Sequence, residues 1–123
     1  MAVSESKKIN GEELIARAAA MVPALRDRAA NAEAAGRIPE ETFEDAKRAD
    51  LFRAAVPGRF GGHELEFKYI PQIIREWGRG CTSSSWVLGF LAYHNFQYGH
   101  FPEQAQQEVW GSDSKGYTMS PKN

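Results

Sequence analysis

The chain has 123 residues, and its 15 basic and 16 acidic side chains give a formal net charge of −1. This length fits one small domain, and the absence of a long basic run argues against a nucleic-acid partner. No stretch reaches the roughly 18 consecutive apolar residues of a membrane span, and the N-terminus lacks the apolar core of a signal peptide. The single cysteine, Cys81, excludes an internal disulfide and a cysteine-cluster metal site. We therefore predict a cytoplasmic protein that binds neither nucleic acid nor membrane.

A long helix is predicted near the start of the chain. Residues 1–9 show no periodic pattern and are predicted to be a flexible N-terminus. Apolar residues at helical spacing then predict a helix from Gly11 to Ala35. Asn10 is predicted to cap it and Gly36 to end it. Pro23 lies inside this pattern, so we expect a kink there rather than a break.

Two more helices are predicted on either side of a glycine-rich loop. Pro39 is expected to be the first residue of a helix that continues to Leu51. Residues 52–62 are predicted to form a loop because proline and glycine punctuate them. Helical spacing returns over residues 67–80, where Pro71 falls in the first turn and is tolerated.

The most informative segment, residues 82–99, predicts a helix that is apolar on nearly every side, with Ser83 or Ser84 as its cap. Four ring-bearing side chains at four-residue spacing form one row along it: Trp86, Phe90, His94 and Tyr98. Such a helix is normally buried. His94 is then either a core histidine with satisfied hydrogen bonds or a group that faces a binding pocket and takes a proton from a phenol. The residues alone favour the core interpretation.

The last part of the chain is predicted to contain a short helix followed by a β-strand. Pro102 is predicted to start a short helix that Gly111 ends. Residues 116–121 have the pattern of a first β-strand, and a lone strand is not stable without a pairing partner. We therefore predict an all-α domain of five to six helices over residues 10–111. Residues 112–123 would begin a truncated β domain, so we expect the chain to be the N-terminal part of a longer protein.

Other chemically reactive residues have plainer interpretations. His63 and His100 are predicted to be exposed or at helix ends, and the histidine spacing does not match a metal site, so no metal is predicted. Cys81 lies at a helix junction that could activate a thiol, yet cysteine is usually a buried structural residue. Gly61 and Gly62 are expected to permit a turn rather than to approach a ligand.

Four segments of the chain form a recognisable set in their order and spacing: residues 56–62, 73–87, 91–95 and 101–111. Taken together, they resemble the acyl-CoA dehydrogenase superfamily. The likeness is greatest to its flavin-dependent monooxygenase branch, which includes the oxygenase components of two-component aromatic hydroxylases such as 4-hydroxyphenylacetate 3-monooxygenase. It extends from about Leu14 to Pro121.

The resemblance implies the all-α N-terminal domain of a three-domain enzyme. In that family a β domain and a C-terminal four-helix bundle follow, flavin binds where the three domains meet, and the enzymes are usually homotetramers. It implies that His94 is catalytic and, with Ser120, holds the phenol of the substrate beside Trp86 and Phe90. It also implies flavin contacts from the predicted strand: Tyr117, Thr118 and Ser120.

The implied activity is hydroxylation of an aromatic, phenolic substrate by reduced flavin and O2. A separate reductase would supply the reduced flavin, either FMN or FAD. The 123-residue chain alone is expected neither to bind flavin tightly nor to turn over. Two alternatives stay open: an acyl-CoA dehydrogenase proper, with FAD-dependent oxidation of an acyl thioester, and a non-catalytic helical interaction module. The aromatic residues around His94 favour the hydroxylase, since a thioester needs a long aliphatic slot.

Overall fold

A computed structural model of the chain describes residues 8–111. This range holds six α-helices and two short 3-10 turns and contains no β-strand, which confirms the predicted all-α class. The predicted strand, and most of the predicted flexible N-terminus, lie outside the described residues. The helices are α1 (Gly11–Ala20), α2 (Val22–Ala35), α3 (Glu40–Arg48), α4 (Tyr69–Gly80), α5 (Thr82–Tyr98) and α6 (Glu103–Trp110).

The predicted first helix is two helices that meet at Met21, so the expectation of a kink without a break is wrong. Met21 ends α1 and precedes α2, with φ −79° and ψ −13°. Its N–H bonds to the carbonyl of Ala18, and its own carbonyl accepts from Leu25. Pro23 lies in the first turn of α2, where its missing N–H removes no helical hydrogen bond.

The predicted ends of this pair of helices are confirmed. The Asn10 side chain accepts a hydrogen bond of 2.8 Å from the Glu13 N–H. Gly36 adopts the left-handed conformation at φ 68° and ends α2. Both features come from local side-chain and backbone chemistry, which is why the sequence predicts them well.

The next helix, α3, is shorter than predicted. Pro39 is its cap, in an extended conformation, rather than its first residue. The helix ends at Arg48, before the predicted end at Leu51, and Asp50 then adopts φ 65°. This left-handed residue redirects the chain into the two 3-10 turns, Leu51–Arg53 and Gly58–Phe60.

The core is built around the pair α4 and α5. Helix α4 begins at Tyr69, two residues later than predicted, and buries Ile70, Ile73 and Trp77 of its apolar stripe. Trp77 on this stripe donates its indole N–H to the Met21 sulfur at 3.3 Å. Only Cys81 separates α4 from α5, so the two helices form a tight hairpin. The largest fully buried side chains in this core include Leu14, Leu25, Phe52, Trp77, Leu88 and Leu91.

Candidate functional site

Helix α5 buries only one side, which corrects the expectation that it lies wholly inside the domain. Its buried residues are Ser84, Ser85, Leu88, Gly89, Leu91, Ala92 and Asn95. The opposite side exposes Trp86 (67%), Phe90 (37%) and Tyr93 (38%). We call Trp86, Phe90, Tyr93 and His94 the aromatic face. A contiguous exposed apolar surface of this kind marks a site of ligand or protein contact.

Three side chains of the aromatic face, Trp86, Phe90 and His94, form one row, as their four-residue spacing predicts. The rings of Trp86 and Phe90 are stacked, with centroids 5.4 Å apart and an interplanar angle of 22°. The Phe90 ring lies 3.9 Å from the imidazole of His94. The row then continues to Tyr98 at 6.4 Å. The result is a continuous row of largely apolar rings that contains a single imidazole.

The imidazole of His94 has a defined tautomer. Its Nδ1 lies 2.6 Å from the carbonyl oxygen of Phe90. A carbonyl oxygen can only accept a hydrogen bond, so Nδ1 carries the proton and donates it. In neutral His94 the lone pair is therefore on Nε2. This nitrogen can accept a proton or a hydrogen bond from a hydroxyl group placed on the aromatic face.

Asn95, the neighbour of His94, anchors this part of α5 from the buried side. Its Nδ2 donates to the carbonyls of Phe52 at 3.0 Å and Leu91 at 3.2 Å. Its Oδ1 accepts from the indole N–H of Trp110 at 3.2 Å. These bonds connect α5 to the first 3-10 turn and to α6, so they fix the position of the backbone that carries His94.

Close packing against α4 fixes the first half of α5. The Ser85 hydroxyl donates to the carbonyl of Ile74 at 2.9 Å. Gly89 lies so close to the same residue that an added Cβ would approach an Ile74 side-chain carbon to 3.0 Å. The two helices can approach this closely because position 89 has no side chain. Close packing against α4 thus holds the helix that carries the aromatic face in a fixed position.

His63 is buried, which overturns the prediction that it is exposed or at a helix end. Its Nδ1 accepts a hydrogen bond of 3.1 Å from the N–H of Ile9, and its Nε2 donates to Asp50 at 2.5 Å. Burial raises the pKa of Asp50, but the bond with His63 and the charge of Arg53 outweigh burial and lower it overall. Both nitrogens of His63 are used, so this histidine has a structural role.

His100 is exposed just beyond the end of α5, as predicted. Its Nδ1 bonds to the carbonyl of Phe96 at 3.0 Å, the same arrangement as in His94. It lines a cavity of about 410 Å³ together with Arg59 and Gln106. Arg59 donates hydrogen bonds to Glu103 and to Gln106, so its guanidinium is already paired within the protein.

Cys81 is buried at the start of α5 and takes the capping position predicted for Ser83 or Ser84. The residue at the cap is Cys81 rather than a serine, so the predicted serine cap is wrong. Burial raises the pKa of the Cys81 thiol, but hydrogen bonds with Ser83 and Ser84 outweigh burial and lower it overall. These partners are serines rather than a base, which agrees with a structural cysteine.

The two loop glycines are explained by local packing. Gly61 adopts φ 86°, a conformation that favours glycine. A Cβ on Gly62 would lie 2.0 Å from the carbonyl oxygen of Val56. Both observations agree with the structural interpretation of this loop.

Several sequence-based expectations lie beyond what the structure describes. Tyr117, Thr118 and Ser120, the implied flavin and substrate contacts, are outside residues 8–111. Within those residues, no group of three or more His, Cys, Asp or Glu side chains is placed to hold a metal ion. In the same range, no helix has the length and apolar character needed to cross a membrane.

Comparison with known proteins identifies the family. Residues 12–112 match the family model described as "Acyl-CoA dehydrogenase, N-terminal domain". The chain belongs to this family. The match confirms the resemblance seen in the sequence, and the helical fold agrees with it.

Similar proteins of known activity are oxygenase components. The chain is 32% identical over 95 residues to the flavin-dependent monooxygenase oxygenase subunit HsaA of Rhodococcus jostii, covering 77% of this chain and 25% of HsaA. It is 32% identical to the oxygenase component of the FADH(2)-dependent resorcinol hydroxylase of a Rhizobium species, covering 79% of this chain and 24% of that protein. The chain therefore spans about a quarter of the length of these relatives.

A solved structure supports the same relationship. The crystal structure of 3-HSA hydroxylase from Rhodococcus sp. RHA1 superimposes with a TM-score of 0.79 at 30% sequence identity. The superposition covers 86% of this chain and 28% of that one. The helical arrangement described above is thus also found in part of that 3-HSA hydroxylase.

Proposed function

We propose that this domain forms the substrate-facing wall of the oxygenase component of a flavin-dependent aromatic hydroxylase. The observation that carries the proposal is His94, whose Nδ1 is occupied by the Phe90 carbonyl while Nε2 is left to accept a proton at the aromatic face. The relatives support the same class, since both are named as oxygenase subunits or components.

The substrate is a phenol whose hydroxyl group donates to Nε2 of His94. As the proton moves toward Nε2, the phenol becomes more like a phenolate and its ring becomes more electron-rich, which favours attack on an electrophilic oxygen. Two groups stabilise the resulting imidazolium. The Phe90 carbonyl accepts from Nδ1–H at 2.6 Å, and the Phe90 ring lies 3.9 Å away, where its electron-rich face attracts a cation.

The aromatic face also orients the ring of the substrate. Phe90 and Tyr93 expose enough of their side chains to contact a planar molecule, and the stack fixes Phe90 between Trp86 and His94. A planar substrate laid against this wall displaces water from the region around Nε2. A drier site strengthens the hydrogen bond to the phenol.

The cofactor in this proposal is a reduced flavin, FMN or FAD, supplied by a separate reductase; when bound, it would supply the two electrons that activate O2, one atom of which enters the product. The described residues fit the substrate, because they offer flat rings and one proton acceptor. We propose that Tyr117, Thr118 and Ser120 contact the flavin and that Ser120 also holds the phenol. We further propose that the complete enzyme is a cytoplasmic homotetramer and that residues 1–123 alone are inactive.

An acyl-CoA dehydrogenase activity is the second candidate, because the family model carries that name. An acyl thioester has no acidic hydroxyl for Nε2 of His94 to accept from, so this alternative leaves His94 without a role. A non-catalytic helical interaction module would use the exposed rings as a protein contact, but it leaves His94 without a role. The hydroxylase uses both features.

The deciding experiment supplies the full-length polypeptide carrying this domain with reduced FMN or FAD, ¹⁸O₂ and a phenol such as 4-hydroxyphenylacetate. We expect a dihydroxylated product with one ¹⁸O atom, and no product from residues 1–123 alone. Loss of the absorbance of an oxidised flavin on addition of acyl-CoA, without oxygenation of any phenol, would reverse the order of the two candidates.

A further inference from the structure

The stack of rings on α5 extends well beyond His94. Trp86 lies two turns before His94 in the same row, which corresponds to about 12 Å along the helix. Its ring is stacked on Phe90 at 5.4 Å, yet 67% of the residue is exposed. A single phenol ring bound at His94 contacts Phe90 and leaves Trp86 uncovered.

Trp86 also forms part of a groove that begins where the aromatic face ends. The groove has a volume of about 820 Å³ and lies between the C-terminal end of α2, the connection to α3 and the start of α5. This volume is within the range of small-molecule pockets, which are mostly apolar. The apolar residues that line it are Ala29, Ala32, Ile38, Cys81, Trp86 and Val87.

Trp86 connects the row of rings on α5 with the groove. It belongs both to the row of rings that contains His94 and to the lining of the groove. A molecule held at Nε2 of His94 can therefore continue over Phe90 and Trp86 into the groove without meeting a charged group of the aromatic face. Glu33 and Arg37 line the groove with opposite charges, so the groove does not select for an anion or a cation.

We infer that the natural substrate is a phenol carrying a second flat, apolar group, rather than a single-ring phenol. This inference rests on the proposed function. The phenol hydroxyl lies at His94, the second group stacks on Trp86, and its far end enters the groove. Trp86 thus determines specificity, because it contacts only the part of the substrate that a simple phenol lacks.

The test compares phenol with 4-phenylphenol as substrates of the full-length polypeptide under reduced flavin and O2. We expect kcat/KM to be at least about tenfold higher for 4-phenylphenol, in line with the energy of one additional aromatic contact. Trp86→Ala should remove this preference, because it should lower kcat/KM much more for 4-phenylphenol than for phenol. Phe101→Ala is the matched control, because Phe101 is an exposed ring (46%) beyond the opposite end of the row.

Binding to residues 1–123 gives a readout independent of turnover. In ¹⁵N-resolved NMR, 4-phenylphenol should shift the Trp86 indole and Val87 amide signals, and phenol should not. Hydroxylation of phenol with no preference for 4-phenylphenol, or equal losses for both in Trp86→Ala, would overturn the inference and leave the proposed function intact. Failure to hydroxylate any phenol would instead overturn the proposed function and the inference together.

Discussion

Replacing Asn95 by leucine tests how firmly the helix that carries His94 is held. Asn95 is fully buried and bonds to the Phe52 carbonyl and to the indole N–H of Trp110. Leucine is similar in size but offers neither a donor nor an acceptor. The substitution therefore deprives the Phe52 carbonyl of this donor and leaves the buried indole N–H of Trp110 without its acceptor.

The cost follows from these two losses. A buried donor left unpaired costs about 1–3 kcal/mol, and one further lost hydrogen bond costs about 1 kcal/mol. We therefore expect Asn95→Leu to lower the free energy of unfolding by about 3 kcal/mol, measured by urea denaturation followed by circular dichroism. This is a large part of the stability of a domain of this size.

Two controls make the test specific. Asn31 on α2 is an exposed asparagine, and Asn31→Leu should change the free energy of unfolding by less than about 0.5 kcal/mol. Trp110→Phe removes the indole N–H, so the double variant with Asn95→Leu should cost less than the two single changes added together. A loss below about 1 kcal/mol for Asn95→Leu, or exact additivity in the double variant, would refute the reasoning.

Two further stability predictions follow from the loop that precedes α4. Gly62→Ala should lower the free energy of unfolding by about 2–3 kcal/mol, measured by urea denaturation, because the new Cβ would lie 2.0 Å from the Val56 carbonyl oxygen. Gly36→Ala is the control and should lower it by about 1 kcal/mol, since Gly36 lies in open space at φ 68°. Equal losses in the two variants would contradict this reasoning. Asp50→Asn should destabilise the protein at pH 7, because a carboxylate whose pKa is lowered by folding stabilises the fold above its unfolded pKa. That stabilisation is lost as pH falls through the lowered value, so the gap to wild type should narrow below about pH 4, and a constant gap would contradict the assignment.

The parts of the fold set by local chemistry were predictable from the sequence. Asn10 and Gly36 mark helix ends because a side-chain oxygen or a left-handed glycine satisfies backbone groups within one turn. The sequence pattern does not predict the break at Met21 or the early end of α3 at Arg48. Both depend on how the chain must turn to pack its helices, which periodicity does not contain.

Some features of the candidate site can likewise be predicted from the sequence, and others cannot. The row of rings through Phe90 and His94 follows directly from four-residue spacing. The exposure of that row was missed, because an apolar sequence does not say which of its sides another element covers. His63 was misjudged because its partner Asp50 is thirteen residues away and is brought near by a loop. The tautomer of His94 also needed the structure, since it depends on the distance to one carbonyl oxygen.

The central claim is that Nε2 of His94 accepts the proton of a phenol. The most direct measurement is kcat/KM for hydroxylation of one phenol by full-length wild type, His94→Gln and His100→Gln, supplied with the same reduced flavin and O2. His100 is the matched control, because its Nδ1 also bonds to a backbone carbonyl four residues earlier. We predict at least a hundredfold loss for His94→Gln, the usual contribution of a general base, and less than a threefold change for His100→Gln, with both variants folded. Equal effects of the two substitutions, or full activity of folded His94→Gln, would contradict the account.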